Sequence, residues 1–194
     1  MKKILSIYFL FFTITVFSQN KPLPNDIQIK TAVLAAPEKF RNGAKVLGYN
    51  EQEELVTLRK GTNDMICLAD DPAKEGISVS CYGKVLEPFM SRGRELVAAG
   101  KQNEKRQIRK EEIDAGTLKM PSEPAILYVL TGDKEDYDQK TGELQNSFLR
   151  YVLYKPYMTV KSTGLPDKPQ APGMPWLMEA GTHRSHIMIT PKKE

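Results

Sequence analysis

The sequence predicts a single α+β domain, built as a mainly antiparallel β-sheet with two or three helices packed on one face. Short apolar stretches of strand length recur along the chain, several with alternating apolar and polar residues. Longer segments carry apolar residues at helical spacing. The only two cysteines, Cys67 and Cys81, lie on neighbouring predicted strands. Together these observations favour a sheet fastened near its centre.

Residues 1–18 are typical of a secretory signal peptide. Lys2 and Lys3 form a basic start, an apolar run follows, and Ser18 is a small residue before a cleavage site ahead of Gln19. The alternative is a membrane anchor. The apolar run is shorter than the roughly 20 residues that a membrane-spanning helix needs, and polar sequence follows at once. The sequence therefore predicts an exported protein, either periplasmic or secreted, with no membrane span in the mature chain.

Cleavage at this point would leave residues 19–25 as a mobile leader and residues 26–194 as the domain. The formal net charge of +4 would fall to +2, because Lys2 and Lys3 leave with the signal peptide. So small an imbalance does not indicate an anionic macromolecule as a partner. We therefore expect no nucleic-acid partner.

Helices are predicted over residues 27–36, 89–100 and 101–116. The first and second carry clear apolar stripes, and Gly93 on the second stripe should permit close packing against the sheet. The third helix is highly charged. Its basic pairs, Lys105-Arg106 and Arg109-Lys110, alternate with acidic residues, which indicates a solvated face in preference to a nucleic-acid patch.

Strands are predicted over residues 44–49, 55–60, 65–69, 77–82, 125–131, 148–158 and 186–190. The third and fourth are separated by a polar loop with Pro72 and Gly76, which favours a hairpin. This hairpin would place Cys67 opposite or diagonal to Cys81, close enough for a disulfide. Export favours the bridge, because disulfides persist outside the reducing cytosol. Residues 161–175 contain four prolines and are predicted to be irregular.

The two histidines of the chain, His183 and His186, lie close together near the C-terminus. With Glu179 they would supply two nitrogens and one oxygen to a divalent metal such as zinc, leaving a position for an activated water. The segment lacks the His-Glu-x-x-His arrangement of zinc hydrolases. The alternatives are an imidazole that hydrogen-bonds a turn or a ligand, and a purely structural role.

Residues 176–186 are the best candidate for recognition. Trp176 follows a proline-rich stretch and stands beside Met174 and Met178, a composition that suits a groove or an anchor for a partner. The predicted binding residues are Trp176, Met178, His183, Arg184 and His186. The alternative is that Trp176 covers the end of the core where the proline-rich loop crosses it.

Signatures of common enzyme classes are missing from the sequence. It has no Gly-x-Ser-x-Gly nucleophile elbow, no phosphate-binding glycine loop and no dinucleotide fingerprint. Cysteines held in a disulfide are not nucleophiles. Three hypotheses remain, of which we favour the first: a non-enzymatic domain that binds a small molecule or a protein through residues 176–186 without a cofactor, a metal-dependent hydrolase, and a structural envelope protein without a pocket.

Three stretches carry a resemblance to other proteins. They are Gly61-Thr-Asn-Asp-Met-Ile-Cys-Leu, Leu86-Glu-Pro-Phe-Met and Pro175-Trp-Leu-Met-Glu-Ala-Gly-Thr-His. In these the chain resembles exported bacterial proteins that have no assigned function. The resemblance implies that the hairpin and the C-terminal block belong to one folded unit. It implies no activity, cofactor or catalytic residue.

Overall fold

The computed structural model describes residues 21–192. The predicted signal peptide, residues 1–18, lies outside the described residues, as does the start of the predicted leader. Within residues 21–192, no helix combines the length and the apolar character needed to cross a bilayer. The first helix begins at Asn25, next to the predicted start of the domain.

Five helices and ten strands follow one another along the described chain. The helices are α1 (Asn25–Ala32), α2 (Glu38–Arg41), α3 (Glu87–Ala98), α4 (Lys105–Asp114) and α5 (Val160–Thr163). The strands are β1 (Lys45–Tyr49), β2 (Leu55–Arg59), β3 (Met65–Leu68), β4 (Ile77–Gly83), β5 (Ala125–Gly132), β6 (Tyr137–Asp138), β7 (Glu143–Leu144), β8 (Phe148–Tyr154), β9 (Trp176–Met178) and β10 (His186–Ile189).

Eight of these strands form one sheet in the order β2-β1-β3-β4-β5-β8-β10-β9, and β6 pairs with β7 as a separate hairpin. Neighbouring strands of the large sheet are antiparallel except for β1 and β3, which are parallel. The prediction of a single α+β domain with a mainly antiparallel sheet is confirmed.

The β3–β4 hairpin lies at the centre of this sheet and carries the disulfide. Cys67 and Cys81 are directly opposite in the register, their Cα atoms are 4.0 Å apart, and the bridge between them is formed. Both side chains are fully buried. The predicted disulfide is confirmed, and alternation along the strand sets which face of the sheet carries it.

The helices are divided between the two faces of the sheet, which corrects the prediction that both main helices share one face. Ala32 and Ala35, at the end of α1 and just after it, pack with Cys67 and Cys81. Tyr82 points the opposite way and packs with Leu86, from the turn that leads into α3. The physical reason is that the central strands are apolar on both faces, so each face needs a cover.

Strands also form in two segments where the sequence predicted none. β9 is only three residues long and follows Pro175, so its local pattern is weak. It forms because β10 supplies its backbone partners, with Leu177 opposite Ile187. The β6–β7 hairpin lies within residues 132–146, between the strands predicted over residues 125–131 and 148–158.

We predict that replacing both cysteines, as Cys67→Ala/Cys81→Ala, lowers the free energy of unfolding by about 3 kcal/mol, because the bridge no longer restricts the unfolded chain. Urea unfolding of the parent and the variant measures this difference. In the parent, thiol labelling without reductant should modify neither cysteine, and labelling of the native protein would contradict the bridge.

Candidate functional site

The turn between β9 and β10 presents the predicted binding segment. Glu179 and Gly181 have positive φ angles of 51° and 75°, which reverse the chain in a short space. The Glu179 carbonyl accepts hydrogen bonds from both the backbone N–H and the hydroxyl of Thr182, at 3.2 and 2.9 Å. These bonds hold the turn in one conformation.

Ser185 fastens this turn to the segment that follows β8. Its fully buried hydroxyl accepts a hydrogen bond from the Met158 N–H at 2.9 Å and donates to the Lys155 carbonyl. One residue earlier, the Tyr157 N–H donates to the Thr182 carbonyl at 2.8 Å. The turn is therefore anchored by the Ser185 hydroxyl and by backbone groups, and the side chains of Glu179, His183 and Arg184 take no part in this anchoring.

Trp176, Met178 and His186 lie on one side of the sheet. In the register Trp176 is opposite Met188, and His186 is opposite both Met178 and Tyr154, and directly opposed residues share a face. The His186 and Tyr154 rings are 5.0 Å apart. This is the face that α3 covers, so the predicted binding residues approach the helical layer.

An ion pair of the Glu179 carboxylate links helix α4 to the turn. One oxygen of Glu179 pairs with Arg184 at 3.1 Å, and the other pairs with Arg106 of α4 at 2.9 Å. Arg106 was not among the residues predicted for this site. It is an exposed side chain on a charged helix, and only the fold places it against the turn.

Arg109 is the second basic residue that α4 contributes, and it is 7% exposed. Its guanidinium lies over the Phe89 ring, 3.9 Å from the centroid, and Nη1 donates to the Phe89 carbonyl at 3.2 Å. The prediction that this part of α4 is a solvated face is wrong at Arg109. Arg109 lies four residues before the apolar Ile113, so the two share one face of the helix. This spacing was the sequence signal that Arg109 is buried.

Gly93 makes this arrangement possible. An added Cβ at Gly93 would lie 2.9 Å from Nη1 of Arg109. Gly93 therefore admits the arginine of α4, and the prediction that it packs against the sheet is corrected. The reason is that the face of α3 that carries Gly93 is packed against α4.

Arg106, Arg109, His183 and Arg184 together form what we call the basic cluster. Burial, and to a lesser degree the charge of Arg184, lowers the pKa of Arg109 to about 10. Burial also lowers the pKa of Lys105, with contributions from Arg109 and Arg184. Among the described residues, the buried Nε atoms of Arg109 and Arg184 and Nε2 of His183 have no hydrogen-bond partner. Glu179 pairs with Arg106 and Arg184, and the charges of Glu179 and Glu112 both act on Arg109.

Both histidines are buried, at 6% exposed for His183 and 5% for His186. Burial lowers the pKa of each imidazole below 6.5, so the neutral form predominates at neutral pH. Nδ1 of His186 lies 2.8 Å from the Arg184 carbonyl. Because a carbonyl only accepts, this nitrogen carries the proton.

The structure does not gather Glu179, His183 and His186 into a metal site. Among residues 21–192, no three His, Cys, Asp or Glu side chains are grouped so as to hold a metal ion. Both oxygens of Glu179 are engaged by arginines. The geometry therefore gives no support to the metal-dependent hydrolase.

A groove of about 440 Å³ lies close to the turn, and none of the residues of the basic cluster lines it. It lies between the end of α4, the segment after it and the segment after β8, and its apolar walls are Ile113, Leu118, Met120, Pro121, Pro156 and Tyr157. Tyr157 is 59% exposed, and its backbone N–H donates to the carbonyl of Thr182, next to His183. Tyr157 thus connects the groove to the turn.

The chain matches no family model, no curated protein and no solved structure. The resemblance to exported bacterial proteins therefore stays a prediction.

We predict that Gly93→Leu lowers the free energy of unfolding by about 1–3 kcal/mol, because the new side chain displaces the Arg109 guanidinium. Urea unfolding measures the loss. Ala98→Leu, an exposed position on the same helix, is the control and should change stability little. Equal effects of the two substitutions would contradict the close contact between α3 and α4.

We predict that acidification below pH 6.5 destabilises the protein through the two histidines. Their pKa values are lower in the folded than in the unfolded state, so the unfolded chain binds more protons as pH falls. Their contribution is fully present above 6.5 and is lost as pH falls towards the folded pKa values. Unfolding measured from pH 7.5 to 5 checks this.

The matched variant for this experiment is His183→Gln/His186→Gln. Carboxyl groups titrate in both proteins, so the difference in pH dependence isolates the imidazoles. The variant should lose less stability than the parent over this range. Parallel pH profiles would show that the histidines are not held neutral.

Proposed function

We propose that this protein is an exported, non-enzymatic binding domain that takes a small organic anion at the basic cluster. The observation that carries the proposal is the excess of buried positive charge. Arg109 and Arg184 lie near each other in a largely buried region, and Glu179 is shared between Arg184 and Arg106. Burying unbalanced charge costs free energy, and an oxyanion at this position would recover part of that cost.

The chemistry of the cluster favours an oxyanion as the ligand group. Guanidinium groups bind carboxylates and phosphates through paired N–H donors in a fixed plane. Arg184 retains 21% side-chain exposure and Arg106 retains 67%, so a ligand can reach both. The neutral imidazole of His183 adds a hydrogen-bonding group without adding charge.

The groove beside the cluster favours an apolar body on the ligand. Its walls come mainly from proline, leucine, isoleucine, methionine and tyrosine side chains, with Lys119 and Ser122 as the polar residues of the lining. A carboxylate with a hydrocarbon or aromatic portion would place its charge at Arg184 and its apolar part along Tyr157. Ligand sites commonly combine an apolar lining with a few polar groups that fix orientation.

Export is supported by two features of the chain. The disulfide at the centre of the sheet is typical of proteins that fold outside the reducing cytosol. Residues 1–18 have the pattern of a signal peptide. A periplasmic or secreted domain that binds an organic anion accounts for both features and for the basic cluster.

The proposal is tested by isothermal titration calorimetry of the mature protein with octanoate, benzoate, acetate and inorganic phosphate. We predict that octanoate or benzoate binds more tightly than acetate or phosphate, because only the first two fill the groove. Arg184→Gln should weaken this binding about tenfold or more, the effect of losing one charge-assisted hydrogen bond.

Lys155→Gln is the control for net charge, since Lys155 is exposed and lies on the segment that the turn contacts. It should leave the affinity unchanged within about twofold. The proposal fails if none of the carboxylates binds, or if Arg184→Gln and Lys155→Gln weaken binding equally.

A further inference from the structure

A second concavity, separate from the basic cluster, lies beside α1. Its volume is about 280 Å³. Four parts of the chain enclose it: residues 21–23, α1, the loop of the β3–β4 hairpin and the segment that leads into β6. None of the residues of the basic cluster lines this cavity.

One wall of the cavity is fixed by hydrogen bonds. Gln28 of α1 donates to the carbonyls of Leu23 and Tyr49 at 2.7 and 2.8 Å and accepts from the Tyr49 N–H at 2.8 Å. This amide is fully used in holding residues 21–23 and β1 against the helix. The cavity therefore has a preformed wall, although its residues are distant in sequence.

The hydroxyls of Thr31 and Tyr137 lie in a second wall of the cavity, where their hydrogen bonds fix which oxygen is an acceptor. The Thr31 hydroxyl lies 2.7 Å from the Tyr137 hydroxyl and 3.0 and 3.1 Å from the carbonyls of Ile27 and Gly142. Carbonyls only accept, so Thr31 uses its single proton on one of them and accepts the Tyr137 proton. The remaining lone pairs of Tyr137 are therefore acceptors at the cavity wall.

Asp70 supplies a carboxylate to the same cavity. One oxygen accepts the Ser78 N–H at 2.7 Å. Within residues 21–192 no lysine or arginine forms an ion pair with Asp70, whereas Lys74 pairs with the adjacent Asp71 at 2.9 Å. Burial raises the pKa of Asp70 to about 6. At neutral pH this wall thus carries a partly desolvated negative charge beside acceptor oxygens, which suits an ammonium group.

Two lysines line the same cavity. Lys21 and Lys134 are both exposed, and the positive charge of Lys134 acts on Asp70 and lowers its pKa, in opposition to burial. The apolar residues Pro22, Leu23, Pro72 and Ile77 complete the walls. A cavity of this size therefore offers an anion, a pair of cations and an apolar surface within the dimensions of one small molecule.

We propose that this cavity binds a small zwitterion of the α-amino acid class. The ligand ammonium lies between Asp70 and the Tyr137 oxygen, the ligand carboxylate is bound by Lys21 and Lys134, and its side chain contacts the apolar residues. A simple amine would pair with Asp70, but its charge would be repelled by the two lysines. A simple carboxylate would pair with the lysines, but its charge would be repelled by Asp70.

The experiment uses the mature protein and NMR titrations with a matched set of three probes. L-Leucine carries both charges, 3-methylbutylamine lacks the carboxylate, and 4-methylpentanoate lacks the ammonium. We expect leucine to shift the amide signals of Ser78 and Tyr137, and each analogue to bind at least about tenfold more weakly, since each loses one charged contact. A panel of the other amino acids extends the test to side chains of different size.

Two variants with matched controls locate the binding. Asp70→Asn and Lys134→Gln should each weaken leucine binding, whereas Glu75→Gln and Lys140→Gln, exposed and outside the lining, should not. Lys134→Gln alters an exposed side chain, so this arm does not depend on how the fold tolerates a change at Asp70. Arg184→Gln should leave leucine binding intact, which separates this site from the basic cluster.

The outcomes distinguish the proposal from its alternatives. Leucine affinity should fall as pH drops below about 6, where Asp70 becomes protonated; the charge of Asp71 also raises this pKa, and the charges of Lys134 and Lys74 lower it. Binding of the amine or of the carboxylate as tightly as leucine would overturn the proposal, and so would the absence of shifts with every amino acid. Equal effects of Asp70→Asn and Glu75→Gln would overturn it as well.

Discussion

The bridge between Cys67 and Cys81 fixes β3 against β4 at the centre of the eight-stranded sheet. This contact also sets the orientation of every other side chain on these strands, because residues alternate between faces. With the cysteines facing α1, Tyr82 must face the other way, towards the turn that leads into α3. Helix α3 then carries α4 on the same face. The location of both candidate sites follows from this single register.

The second requirement of the fold is to satisfy charge that has been removed from water. Gly93 leaves the space that the Arg109 guanidinium occupies. There the guanidinium lies over the Phe89 ring and donates a hydrogen bond to the Phe89 carbonyl. These contacts offset only part of the free-energy cost of burying the guanidinium. The nearby positive charge of Arg184 adds to that cost. Asp70 presents the opposite case at the other site, a carboxylate without an ion-pair partner among residues 21–192. These charges are the basis of the two ligand proposals, an anion for the basic cluster and a zwitterion for the cavity that Asp70 shares with Lys21 and Lys134.

Much of this arrangement was predictable from the sequence. Strand-length apolar segments and the spacing of Cys67 and Cys81 predicted the central hairpin and its bridge, because both depend on local periodicity and on the compartment. The C-terminal segment was identified from its histidines and Trp176. Arg106 and Arg109 were not assigned to the site, because a charged helix gives no local signal of which cationic side chain a neighbouring element will cover.

The sequence by itself determined the α+β class, the hairpin and the disulfide, because these depend on residue periodicity and on the chemistry of neighbouring segments. Only the tertiary structure decided that the helices lie on opposite faces, that Trp176 belongs to a strand, and that Glu179 pairs with arginines and does not join a metal site. Such contacts join residues far apart in the chain. Their free energies depend on burial and on which partners the fold brings within reach, and no local pattern encodes either.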